Sequence, residues 1–226
     1  MSTQFTNRQW RLPNNENKAK QSNYSMDFDG SSQLIDLGTE ILFDSTKGFS
    51  VSAWVKLTGY SPSSYPSIAK LKTDTSTGWT FGLSNASAYA GVFFGSSSNF
   101  VRGRTTSDIS GDFIGTWKHI CLVFDGVDKA AFSSYKIYVD GGNIGLAGAG
   151  NFSTVSNTSS LIGGQPGSKF NGQIDEVAIF DKALTPDQVQ FDLYEPTALV
   201  GGVEKTADIE NNTNLPTPVA WYRMGD

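Results

Sequence analysis

Apolar residues recur at every second position along several short stretches of the chain. The sharpest is FSVSAWVKL, in which Phe49, Val51, Ala53, Val55 and Leu57 fall on one side and Ser50, Ser52, Trp54 and Lys56 on the other. That period predicts a strand over 49–57. In WKHICLVFDG, Trp117, His119, Cys121 and Val123 oppose Lys118, Ile120, Leu122 and Phe124, so both faces carry apolar groups and a central strand is predicted. SIAKLK, WTFGLS, AGVFFG and NFVRGRT follow one another at short intervals, bounded by Ser, Gly or Asn, as in an antiparallel meander. SMDFDG and QLIDLG flank a turn at Asp29-Gly30 and are expected to pair with each other, while YKIYVDGG ends in the hairpin signal Asp140-Gly141 with NIGLAGAG returning beside it. With SSLIGG these make about a dozen strands.

One stretch breaks the pattern. In GQIDEVAIFDKALTPDQVQ, Ile174, Val177, Ile179 and Phe180 form a strand-like run, after which Thr185, Pro186 and Gln188 read as N-cap, first helical residue and capping-box partner. A single short helix near the C-terminal end is predicted, laid across the end of a sheet structure.

Composition fits an all-β chain. At 226 residues, with 24 Gly and 38% hydrophobic residues, the length suits one large sandwich better than two small domains. Residues 1–22 are polar and without period, and are read as an N-terminal arm or linker. The sandwich is placed at 23–195, a Pro-containing polar linker at 196–218, and a C-terminal strand in VAWYRMGD at 219–226. Against 17 basic residues stand 22 acidic ones, and no run of five like charges occurs. Arg8, Arg11, Lys18 and Lys20 are scattered among Asn and Gln, so nucleic acid is not an expected partner. Cys121 is the single cysteine, which rules out an intramolecular disulfide and fits a small buried hydrophobe. No stretch has the length of a membrane span and the N-terminus has no signal-peptide pattern, so neither membrane insertion nor export by that route is expected.

In order and spacing, SMDFDGSSQLIDLG, FSVSAWVKL, WKHICLVFDG with YKIYVDG, and GQIDEVAIFDKALTPDQV together resemble a concanavalin A-like jelly roll of the laminin G-like type, related to pentraxins. The resemblance covers about residues 24–195. It implies an all-β, antiparallel two-sheet jelly-roll sandwich with one short C-terminal helix, opened by a hairpin at SMDFDG. The family places a VAWYRMGD-like strand before that hairpin, whereas here it closes the chain. It either completes the same sandwich, begins a further repeat or is donated to a neighbour. VAWYRMGD also resembles laminin G-like modules of marine phage structural proteins.

The expected chemistry is sparse. Glycoside hydrolysis needs two carboxylates flanking one bond, and the adjacent Asp175 and Glu176 are expected on opposite faces of their strand. His119 and Cys121 share a face but lie about 7 Å apart by strand geometry, too far for proton transfer, so both are read as packed side chains. GGNIGLAGAG and LIGGQPG lack the Lys-Ser/Thr of a phosphate loop and are read as turns. The resemblance implies a structural calcium ion, with Asp29 and Asp175 as its ligands and Asp125 and Asp140 behind them; the competing reading is that Asp before Gly only forms a turn. Among Tyr60, Tyr65, Trp79, Tyr89 and Phe100, the loop residues Tyr60 and Tyr65 are the candidates for stacking on sugar rings. The expected function is a noncatalytic laminin G-like interaction module on a phage virion surface, as capsid decoration or fibre. It would touch other virion proteins or cell-surface glycans within an oligomeric assembly. The alternative is a lectin domain of a bacterial cell-surface or secreted protein, with a glycoside hydrolase third.

Overall fold

The alternating stretches fold as strands, and their apolar sides meet between two antiparallel sheets. The structure, a computed structural model, describes residues 25–38, 44, 47–60, 63, 65–72, 77–85, 91–95, 100–103, 109–128, 131–149, 155–156, 159–165, 167–195, 199–200, 203–204, 209–210 and 212–223. The expected arm at 1–22 and parts of the linker at 196–218 lie outside them, as does Tyr89.

In chain order the strands are β1 (Met26–Asp29), β2 (Ile35–Gly38), β3 (Phe49–Leu57), β4 (Ser67–Lys72), β5 (Thr77–Ser84), β6 (Gly91–Gly95), β7 (Phe100–Gly103), β8 (Lys118–Phe124), β9 (Tyr135–Val139) and β10 (Gly142–Ile144). They continue as β11 (Leu146–Ala149), β12 (Val155–Ser156), β13 (Ser160–Ile162), β14 (Gly164–Gln165), β15 (Ser168–Lys169), β16 (Asn171–Phe180), β17 (Leu199–Val200), β18 (Val203–Glu204) and β19 (Ala220–Tyr222). One sheet runs β1-β16-β3-β8-β9-β10 with β19 also on β16, and the other runs β11-β7-β6-β5-β4-β13-β2 with β12 on β5. The meander expected from SIAKLK to NFVRGRT is β4 to β7, each strand antiparallel to the next. β8 is central, between β3 and β9.

Between the sheets lies one core. Phe49, Val51, Ala53, Val55 and Leu57 from β3 and Ile120, Leu122 and Phe124 from β8 meet Ile68, Leu71, Trp79, Phe81 and Leu83 of the facing sheet. Trp79 is therefore a core residue. The opposite, outer face of the first sheet carries a second cluster, in which Cys121, Val123, Ala178 and Phe180 are covered by Leu184, Val189, Leu193, Ile209 and Leu215. Ser50 and Ser52, polar in the alternation, are buried under this layer. There the Ser50 hydroxyl donates to the Lys182 carbonyl and accepts from the Leu184 N–H.

The covering helix, α1 (Gln188–Tyr194), starts as the sequence predicts. The Thr185 N–H donates to Gln188 Oε1 at 2.8 Å and the Gln188 N–H to Thr185 Oγ1 at 3.2 Å, a reciprocal capping box. It is wound as a π-helix, closing on a Glu195 N–H to Gln190 carbonyl bond five residues back.

Two expectations are corrected here. SMDFDG and QLIDLG do not form a hairpin: β1 pairs with β16 in one sheet and β2 with β13 in the other. The turn at 30–34 carries the chain across the sandwich, because Phe28 on one sheet and Ile35 and Leu37 on the other all pack into the inter-sheet core. Gly163 accommodates the Phe28 ring, since a Cβ there would lie 1.9 Å from it. The second correction concerns β16. Its register against β3 shifts between Asp175 and Ala178, where Glu176 adopts φ 50°. Ile174 and Val177, on either side of the acids, both belong to the inter-sheet core. The extra bulge residue thus puts Asp175 and Glu176 together on the outer face, where strict alternation would have separated them.

β19 pairs with β16 of the same chain, Val177 opposite Tyr222 and Ile179 opposite Ala220. It runs in line with β1, which occupies the same edge of β16 at residues 171–174. NIGLAGAG divides between sheets, β10 beside β9 and β11 beside β7. Asp140 and Gly141, at φ 48° and 75°, make the expected two-residue turn between β9 and β10.

Candidate functional site

The antiparallel order brings the ends of β1, β3 and β9 and the starts of β8 and β16 to one end of the sandwich. Thr58 donates its N–H to the Asn171 carbonyl there, and Leu57 bridges to Ile114. Four of the sequence candidates fall at this end. Tyr60 packs against the inter-sheet core and its hydroxyl donates to the Ser110 carbonyl at 3.0 Å, which ties the loop after β3 to the short 3₁₀ turn at Ser110–Phe113. Tyr65 lies further along the loop at 41% exposure, and Ile114, after the turn, at 47%. Of the two tyrosines, Tyr65 is the one whose ring is open to solvent.

Asp29 ends β1 with a closed set of donors. Its Oδ1 accepts the N–H groups of Ser31, Ser32 and Gln33 at 2.8–3.1 Å, and its Oδ2 accepts the Ser32 hydroxyl at 2.6 Å. The Ser32 hydroxyl and these three N–H groups hold its carboxyl well below the usual range. Asp140 is likewise engaged, accepting the Lys118 ammonium at 2.6 Å and the His119 N–H at 3.0 Å. That ammonium is held above its ordinary pKa, first by the hydrogen bond to Asp140. Asp125, at the opposite end, accepts the Val127 N–H in a turn.

Asp175 lies apart from Asp29. It stands opposite Trp54, whereas Asp29 stands opposite Asn171, four residues earlier on β16, about 13 Å away along a strand. Asp175 Oδ1 also accepts the Glu176 N–H at 2.8 Å. The two aspartates do not converge on one ion, and Asp29 Oδ1 is already taken by three N–H donors. These residues do not fit a shared calcium ion. Among the described residues no three His, Cys, Asp or Glu side chains group as metal ligands.

Glu176 is the acid that sequence reasoning placed wrongly. Its Oε2 accepts the indole N–H of Trp221, and its Oε1 lies 3.3 Å from Arg223 Nε, an ion pair whose side chains are 7% and 8% exposed. The carboxylate clamps β19 to β16. Nothing in the alternation of DEVAIF indicates this, since the bulge and the partner from the end of the chain are both non-local.

The Ser52 hydroxyl and His119 Nε2 are 2.8 Å apart, but both residues are buried, and the rings of Trp54 and Tyr194 lie 5.4 and 6.0 Å from the imidazole. Burial lowers the His119 pKa to about 3. His119 Nδ1 has no partner among the described residues, so no carboxylate orients the ring as in a hydrolytic triad. Cys121 is buried, and desolvation pushes its thiol pKa up, away from the reactive thiolate.

A family model described as the concanavalin A-like lectin/glucanases superfamily, of laminin G type, matches residues 29–190. The chain belongs to this superfamily. Among solved structures, this concanavalin A-like chain is similar to a heptameric pentraxin from Limulus polyphemus, at 15% identity and a TM-score of 0.52 over 89% of this chain and 95% of that one. It is also similar to a candidate carbohydrate-binding protein from Bacteroides ovatus, at 16% identity and a TM-score of 0.55 over 88% of this chain and 50% of that one. Comparison with curated proteins gives no match. At these identities the likeness is one of fold.

Proposed function

We propose that this concanavalin A-like domain is a noncatalytic module that binds carbohydrate through its loop-bearing end. One observation carries the reading: the pairs that could serve hydrolysis, Asp175 with Glu176 and Ser52 with His119, are buried and hydrogen-bonded, while the loop-bearing end offers Tyr65 to solvent beyond the Tyr60–Ser110 hydrogen bond. The superfamily description names both lectins and glucanases, and the Glu176–Arg223 and Ser52–His119 pairs favour binding over hydrolysis. An aromatic ring at a loop tip stacks on the C–H face of a sugar. The setting proposed with it is the phage particle surface that the VAWYRMGD resemblance implies, tested by whether antibodies to the chain label intact particles.

The test of the function is a glycan array with the full chain, followed by hydrolysis assays on β-glucans. Binding that falls on Tyr65→Ala without loss of melting temperature supports the proposal. Product release that is abolished by Glu176→Gln would replace it with the hydrolase reading.

A further inference from the structure

The outer face of the first sheet is covered over only half its length. Along β3 the outward positions go from buried Ser50 and Ser52 to half-buried Trp54 and Lys56, and along β16 from buried Phe180, Ala178 and Asp175 to half-buried Gln173 and Asn171. The change comes where α1 stops: its last residue, Tyr194, stacks on Trp54 at 5.9 Å and 27°. Beyond these rings the register sets Asp27, Gln173 and Lys56 side by side across β1, β16 and β3, all facing outward. Among the described residues none of the three makes a side-chain hydrogen bond or ion pair.

We propose that this strip, floored by Asp27, Gln173 and Lys56 and walled by Trp54 and Tyr194, is a second binding surface for a neutral glycan, continuous with the loop end. The inference rests on the carbohydrate-binding reading above and extends it to residues that nothing else assigns. The chemistry selects the occupant. Cross-strand neighbours stand about 5 Å apart, so a carboxylate, an amide and an ammonium present acceptors and donors in a row, as sugar hydroxyls require. The charges of Asp27 and Lys56 cancel, and the chain carries a net −5, so an anionic polymer gains nothing there. Of the large apolar residues exposed among those described, none lies in the row itself: Met26, beside Asp27, stands opposite the core-facing Ile174, Phe191 lies on α1, and Tyr65, Ile114 and Val127 lie in loops. It therefore lacks the apolar centre of a protein interface. The aromatic wall beside a polar floor matches the mixed surface of a sugar ring.

The experiment is a titration of the ¹⁵N-labelled full chain with neutral tetrasaccharides of glucose, xylose, arabinose and galactose, and with sialyllactose as the acidic arm. The wild type is compared with Gln173→Ala, Lys56→Ala, Asp27→Ala and Tyr65→Ala, each checked by thermal melting. Expected are shift changes at Lys56, Gln173 and the Trp54 indole with a neutral sugar, and about tenfold weaker binding in Gln173→Ala and Lys56→Ala. Binding that disappears in Tyr65→Ala but is unchanged in the strip variants overturns this inference and leaves the function standing. No binding of any glycan by the wild type overturns both. A preference for sialyllactose, or self-association that the strip variants abolish, overturns the neutral-glycan assignment.

Discussion

The outer face of the first sheet has two halves built on the same strands, and they treat the same kinds of residue differently. In the covered half, Ser50, Ser52, His119, Asp175 and Glu176 are buried beneath α1 and the C-terminal segment, and each makes a hydrogen bond inside the protein. In the open half, Asp27, Gln173 and Lys56 occupy equivalent outward positions and face solvent. Residue type therefore does not separate structure from function on this sheet; the cover does. A buried polar group must be paired or the fold is destabilised, whereas an exposed one is free to bind.

The strongest way to break that contrast is to remove a partner from the covered half. Glu176→Ala removes the carboxylate that pairs with the buried Arg223 Nε and that accepts the Trp221 indole N–H. Breaking a buried pair from one side costs about 3–5 kcal/mol, to be read from urea unfolding. A loss below about 1 kcal/mol would mean that β19 is held by its core packing and not by the clamp. Removing part of the cover is the next largest change. Tyr194→Ala takes away the ring against Trp54 and His119 and is expected to cost about 2 kcal/mol. It should also shift the His119 ring resonances, a readout that an unaltered cover would leave flat.

How far these halves could be read from sequence follows from the range of the interactions. Period-2 alternation in FSVSAWVKL and WKHICLVFDG places the core-facing residues correctly, and Thr185 with Gln188 fixes the helix start, because each depends on neighbours within a few positions. The β1–β2 pairing is not legible, because a turn signal such as Asp29-Gly30 specifies a reversal but not which sheet the next strand joins. Alternation puts Asp175 and Glu176 on opposite faces because a bulge at a non-Gly residue leaves no local mark. Tyr65 was legible as a loop aromatic, while the outward row of Asp27, Gln173 and Lys56 depends on the pairing of three strands distant in sequence.

Acid tests the covered half without mutation. His119 is neutral when folded, with its pKa lowered by burial from 6.5 to about 3, while the unfolded chain binds a proton near pH 6.5. The unfolded state then holds more protons between about pH 6.5 and 3, so the stability from this residue is complete above that window and is lost as pH falls through it. The slope contributed is about 1.4 kcal/mol per pH unit within the window. His119→Gln should flatten the pH dependence of urea unfolding between pH 6 and 4 relative to wild type, and parallel curves would show that His119 is solvated or already charged.

The smallest expected effect is at the helix start. The Thr185 hydroxyl accepts one N–H at 3.2 Å on an exposed turn, so Thr185→Ala should cost about 1 kcal/mol. Because α1 ends at the ring that bounds the open strip, this variant asks whether cover and strip are coupled. If α1 is positioned by its buried Val189 and Leu193, the melting temperature falls slightly and glycan binding at Lys56 and Gln173 is unchanged. If the cap itself sets where Tyr194 stands, binding weakens along with stability. The two halves would then be one mechanical unit, and the contrast between them would be one of exposure only.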